Sequence, residues 1–320
     1  MKKSLRFLNS FRVKPVAPYS YPLTVHKPAG WSLLTPYEIY EDGILWTATR
    51  MDSGQMLGLK LTSLGTIDKP EIHCVVFSEK KMDPKAKLGL IETLTWMLGA
   101  REDINGFYAL GRRDPLVRAL VKDLYGMRDT NRPDLFPMLT LALTLQMAPM
   151  KRSYQMMDLL IKKYGSKIVF DKKKIQYWPS PETIAKASVK ELEEKCKLGY
   201  RAKHLKSIAQ SLCKGFPTYI ELSRMPPNEA KVKLMELGGI GEYSADIVSP
   251  HPGFPLDVWS VKIFSLLLFN KQPEKPRESI PMLKEKAEER WGEWRGYVFT
   301  YVLNDLENLS ARFNANLRSL

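Results

Sequence analysis

The feature that most limits the architecture of this chain is a change in its hydrophobic period. Before about residue 80, Leu23 and Val25, then Leu57, Leu59 and Leu61, then Ile72, Cys74 and Val76 alternate with other residues. A period of two belongs to strands with one buried face. Asp42-Gly43 and Ser53-Gly54 supply turn signals between them, so an antiparallel sheet is predicted. From about residue 83 the spacing becomes helical. Leu90, Ile91, Leu94 and Leu98 precede Gly99, and Asp114-Pro115 offers an N-cap followed by proline at the first helical position. Leu135, Leu139, Ala142 and Leu143 mark a helix reaching Pro149, and Tyr154, Met157, Leu160 and Ile161 mark the next. Ser180-Pro181 opens a short helix, and Ser188 with Glu191 forms a capping box for another. The expected class is α+β, with an antiparallel β-rich α+β domain over 1–100 and an all-helical body over 101–320.

Charge bears on partners. The 320 residues hold 49 Lys plus Arg against 35 Asp plus Glu, a net +14. Such an excess suits a polyanion held through phosphate contacts, although basic proteins from hot or acidic habitats carry similar excesses without one. No stretch has the roughly 18 apolar residues of a membrane span, so no membrane partner is expected. The start, Met1-Lys-Lys-Ser-Leu-Arg-Phe-Leu8, runs into Asn9, Ser10, Arg12 and Lys14 without the apolar stretch of a signal peptide, so an intracellular, monomeric protein is expected. Cys74, Cys196 and Cys213 are too far apart for a disulfide framework, zinc site or iron–sulfur cluster; reduced, buried thiols are expected.

The segment Leu234-Met-Glu-Leu-Gly-Gly-Ile-Gly-Glu-Tyr-Ser-Ala-Asp-Ile247 reads as helix, very tight hairpin and helix. Glycines at 239 and 241 let the backbone approach a ligand closely, and unpaired N–H groups opening the second helix suit a phosphate. A glycine-capped helical corner is the structural alternative. Beyond it, Phe254-Pro-Leu-Asp-Val-Trp-Ser260 places Asp257 at the mouth of an apolar helix, where it is a natural N-cap.

The pairing of Leu-x-Gly-Ile-Gly with Pro-x-Asp-Val resembles the helix–hairpin–helix, glycine/proline-rich loop and aspartate (HhH-GPD) signature of the base-excision glycosylases. Leu98–Tyr108, Arg113-Asp-Pro115, Leu124-Tyr-Gly-Met-Arg128, Arg132-Pro-Asp-Leu-Phe136, Leu145-Gln-Met147 and Gly199-Tyr-Arg-Ala202 are similar to the 3-methyladenine DNA glycosylase II (AlkA-like) family. That resemblance implies an N-terminal domain like half a TATA-binding protein and a body of two helical subdomains with the active-site cleft between them. It implies Asp257 as catalytic carboxylate, Gly239 and Gly241 as phosphate-binding glycines, and carbonyls of Met235, Leu237 and Ile240 holding a monovalent cation, Na+ or K+. Gln146 and Met147 become DNA-contacting, Met147 as the wedge that fills the gap left by a flipped nucleotide. Tyr243, Trp259 and Leu303 line the base pocket. Tyr243 stands where bifunctional relatives place a lysine nucleophile, Leu303 near an expected tryptophan, and the stretch from Gly241 to Asp257 is a few residues short.

Breaking the bond between a sugar carbon and a base nitrogen develops positive charge on the sugar. A carboxylate there stabilises the transition state and orients water with no cofactor. The expected function is a monofunctional DNA glycosylase that flips out and hydrolytically removes alkylated purines (3-methyladenine or 7-methylguanine type) from damaged double-stranded DNA, in the cytoplasm with the nucleoid or in a nucleus. A hypoxanthine or oxidised-purine glycosylase, and a non-catalytic helix–hairpin–helix DNA-binding protein, are the alternatives.

Overall fold

The structure is a computed structural model that describes residues 3–29, 37–51, 53–129, 134–251 and 253–319. Strands β1 (Lys3–Ser4), β2 (Arg6–Val13), β3 (Ile39–Glu41), β4 (Ile44–Arg50), β5 (Met56–Ser63) and β6 (Ile72–Ser78) begin the chain. The last five form an antiparallel sheet in the order β2-β6-β5-β4-β3. Its register pairs Leu61 with Cys74 and Leu59 with Val76, so the alternating side chains share one face and are at most 2% exposed. Asp42 and Gly43 both take positive φ (50° and 74°), as a two-residue hairpin requires.

One expectation fails here. Leu23 and Val25 lie in a short helix, α1 (Tyr21–Val25), opened by Pro22 in its first turn. Tertiary contacts hold it: the Tyr21 hydroxyl donates to Leu61 O at 2.9 Å, and Thr24 Oγ1 accepts the Arg128 N–H at 3.1 Å. Helix α2 (Pro84–Met97), capped by Asp83, covers the apolar face of the sheet with Leu90, Leu94 and Met97. Each such side chain contributes roughly 1.5–3 kcal/mol.

The remaining chain is not all-helical. Strands β7 (Ser166–Phe170) and β8 (Lys173–Tyr177) form a hairpin whose first strand pairs with β1, and Ile168, Phe170 and Ile175 pack against Trp46, Ala48 and Met56. Asp171 at its turn accepts Trp46 Nε1–H at 2.7 Å and pairs with Lys60 at 2.8 Å. The sheet is thereby covered on both faces.

The helices are α3 (Asn105–Arg113), α4 (Pro115–Asp123), α5 (Leu135–Leu145), α6 (Met150–Tyr164), α7 (Pro181–Lys186), α8 (Val189–Lys195), α9 (Arg201–Cys213), α10 (Tyr219–Ser223), α11 (Pro227–Met235), α12 (Glu242–Val248), α13 (Val258–Phe269), α14 (Ile280–Trp291), α15 (Arg295–Asn304) and α16 (Leu306–Arg312). Two apolar cores organise them. One gathers α5 to α12, the other α3, α4 and α13 to α16. Asp114 and Ser180 cap α4 and α7 as predicted. Ser188 makes no side-chain cap on α8, and Glu191 pairs with Lys163 and Lys195. Helix α5 stops at Leu145, short of Pro149, since Gln146 is extended and Met147 takes φ 49°.

Arg128, fully buried, ties the two halves together. Its guanidinium donates to Val16 O at 3.0 Å and Glu102 O at 3.2 Å and lies over the Tyr19 ring. Cys74 and Cys196 are buried thiols as expected, whereas Cys213, near the exposed end of α9, is open to solvent. Among the described residues, no helix is long and apolar enough to cross a membrane.

Candidate active site

A cavity of about 250 Å³ opens between the two helical cores. Helices α5 and α6 supply Leu141, Leu145 and Met150, and α12 supplies Tyr243, Asp246 and Ile247. The opposite wall is Asp257, Trp259 and Ser260 at the start of α13, with Phe299, Thr300 and Leu303 of α15. Asp257, Tyr243, Trp259 and Leu303, singled out separately in the sequence, therefore line one space.

Asp257 is held there because it caps α13. Its Oδ1 accepts the Ser260 N–H at 2.8 Å and the Ser260 hydroxyl at 2.7 Å, while Ser260 Oγ accepts the Asp257 N–H at 2.8 Å. This reciprocal box fixes backbone and carboxylate together. Tyr243 lies beside the same carboxylate; burial, then the Asp257 charge, push its hydroxyl well above its ordinary range, so it stays protonated. Trp259 lines the cavity and also packs on the core of α13 to α16.

The electrostatics of the lining are one-sided. It carries Asp129, Asp246 and Asp257, and no lysine, arginine or histidine among its described residues. Asp246 is balanced from behind by Lys231 at 2.8 Å and Lys284 at 3.3 Å. Asp129, Phe299 and Thr300 were not anticipated. Phe299 supplies an aromatic face one turn before Leu303, where the resemblance placed a tryptophan; it stacks on Phe264 with centroids 5.5 Å apart.

Beside the cavity, α11 and α12 are joined through the glycine turn. Gly239 has φ 92°, and a Cβ on it would stand 2.8 Å from the His204 ring. Only glycine fits. Gly241 is extended, with nothing within 4 Å of a would-be Cβ, leaving open space before the first turn of α12. Met235 ends α11, while Leu237 and Ile240 are buried in the turn, where the Ile240 N–H donates to Leu237 O at 3.0 Å. Among the described residues, no cluster of His, Cys, Asp or Glu could hold a metal ion.

Gln146 is clasped to this turn rather than held outward, its Nε2 donating to Gly239 O at 2.7 Å and Ser244 Oγ at 2.9 Å. The next residue, Met147, is 82% exposed between the cavity residues Leu145 and Met150. A positive φ at a non-glycine residue costs on the order of 1 kcal/mol. The surroundings enforce it: buried Arg201 donates from Nε to Leu143 O at 3.1 Å and from its guanidinium to Gln146 O. Of the segments that carried the resemblance, Arg132 and Pro133 lie outside the described residues.

The fold has counterparts among solved structures. The chain superposes on the 3-methyladenine DNA glycosylase from Archaeoglobus fulgidus with a TM-score of 0.72 at 20% identity, over 95% of this chain and 99% of that one. The Clostridium acetobutylicum 8-oxoguanine glycosylase/lyase in complex with double-stranded DNA gives 0.65 at 18% identity, over 97% and 98%. The fold is that of the helix–hairpin–helix DNA glycosylases. In sequence, the chain is 26% identical over 212 residues to the DNA-3-methyladenine glycosylase of Bacillus subtilis, which is 62% of this chain and 66% of that protein, just under two thirds of its length. No family model matches the chain.

Proposed function

We propose that this protein is a monofunctional DNA glycosylase of base excision repair that removes alkylated purines from duplex DNA. The observation that carries the reading is the convergence of Asp257, Tyr243 and Trp259 on one small cavity, with exposed Met147 and the glycine turn beside it. Pockets for drug-sized ligands run to roughly 300–1,000 Å³, so this cavity suits a single flipped base. The glycine turn and the basic surface hold phosphates, and Met147 enters the stack from which the base leaves.

In the proposed reaction, the bond between the sugar carbon and the base nitrogen breaks and its electron pair leaves with the base. With Oδ1 held by the cap, Oδ2 of Asp257 faces the positive charge growing on the sugar and accepts a proton from the attacking water. The water oxygen bonds to the sugar carbon, giving an abasic site in an intact strand. A base alkylated on a ring nitrogen departs neutral without being protonated, which agrees with a lining whose described residues offer no cationic acid. They also offer no lysine to attack the sugar, in keeping with Tyr243 at the position where bifunctional relatives carry that nucleophile. Neutral carbonyls suit a monovalent cation, and those of Met235, Leu237 and Ile240 would hold one at the turn, where its charge would favour a phosphate; the proposed catalysis requires no cofactor.

The test is incubation with duplexes each carrying one modified base, followed by alkali. Alkali-dependent breaks at 3-methyladenine or 7-methylguanine are expected, with no adduct trapped by borohydride. Absence of release from every duplex would overturn the enzyme and leave a phosphate-clamping binding protein.

A further inference from the structure

The cavity contains a carboxylate that the proposed chemistry does not use. Asp129 follows buried Arg128, whose backbone N–H is held by Thr24 Oγ1 at 3.1 Å, so its position on the wall is set by the packing between sheet and helices. Its Oδ1 accepts Lys27 Nζ at 3.0 Å and its Oδ2 accepts the hydroxyl of Thr300, a fellow wall residue, at 3.2 Å. Two oxygens offer about four acceptor positions, so these bonds leave capacity for a ligand. The side chain is 33% exposed, and Lys27 stands behind it, outside the lining. Of the other acids, Asp257 serves the sugar and Asp246 has two lysines against it.

We propose that Asp129 is a specificity-determining residue that selects positively charged bases, those alkylated on a ring nitrogen, over neutral lesions of the same shape. The proposal rests on the glycosylase reading above and names the charge class of its substrate. Tyr243, Trp259 and Phe299 line the same cavity and offer π-systems to a cation, and Asp129 adds a negative charge on that wall. A neutral base of equal size gains only a hydrogen bond there. Lys27 sets the strength of the effect, because it neutralises part of the Asp129 charge from outside the cavity.

The test uses binding to three duplexes: one with 7-methylguanine on a 2′-fluorinated sugar that resists cleavage, one with its neutral isostere 7-methyl-7-deazaguanine, and one undamaged. The wild-type protein should favour the cation over the isostere. Asp129→Asn, which keeps an acceptor for Thr300, should reduce that preference about tenfold while leaving affinity for undamaged duplex unchanged. Lys27→Met should move the preference the opposite way, which a merely structural role for the pair cannot do. If Asp129→Asn does not fold, Lys27→Met alone decides, and a preference that fails to rise overturns the proposal. Equal binding of cation and isostere, both above undamaged DNA, also overturns it and leaves the glycosylase reading standing. Equal binding of all three duplexes overturns that reading and, with it, the proposal.

Discussion

Asp257 has a structural and a chemical task that can be separated by one atom. Asparagine caps a helix about as well as aspartate, so Asp257→Asn should melt within about 2 °C of wild type. It removes the negative charge facing the sugar, and single-turnover excision should fall by about 10²- to 10³-fold while affinity for lesion DNA persists. A variant with unchanged excision would remove Asp257 from the chemistry. At this scale the site was half legible. Asp257 stood out as a helix cap in a short linked motif, whereas Tyr243, Trp259 and Leu303 came with the family resemblance. Asp129 and Thr300 could not be found that way, because they meet only after segments far apart in sequence fold together. Phe299 had a signal that was passed over, an aromatic residue one helical turn before Leu303.

Among the elements, the link between α5 and α6 is the least ordinary. Its short run from Gln146 to Pro149 is clasped at one end by Arg201 and the glycine turn, with Met147 projecting at φ 49°. An unbranched apolar side chain held outward in this way is ready to enter a base stack, and only a duplex has a stack to repair. Met147→Ala should therefore slow excision from duplex DNA about tenfold or more and from single strands by less than twofold; equal loss on both substrates would make Met147 a packing residue. Element types were readable where the period was long, as in β5, β6, α2 and α6. They failed where tertiary contact outweighed a short local pattern. Pro22 and the bonds of Tyr21 and Thr24 turned an apparent strand into α1, and the hairpin of β7 and β8 was missed because each strand is only five residues long and interrupted by lysines.

For the whole molecule, pH should act through a buried acid far from the motif. Burial, and after it the neighbouring Asp123 charge, raise the Asp305 carboxyl from 3.8 to about 7, against a hydrogen bond from Asn308. Its Oδ2 has no hydrogen-bond partner. Protonation relieves both burdens. An acid whose folded pKa lies above its unfolded value binds more protons when folded, so its penalty grows as pH rises from about 4 to 7 and is complete above that. Asp305→Asn should then be more stable than wild type at pH 8, on the order of 1–3 kcal/mol, and equal to it near pH 4, read as melting temperature at both. Parallel pH profiles for the two proteins would show that the carboxyl does not titrate in this range.

The hairpin of β7 and β8 also sets how the chain can come apart. It leaves the helical body to bury the second face of the sheet, adds β1 as its neighbour, and sets the Phe170 ring in the space above Gly58. Late residues thus complete an early layer, while Arg128 reaches back to Val16. Any division of the chain near residue 100 would part strands from the residues that cover them. Sheet and helices therefore share a buried layer that neither half of the sequence completes alone.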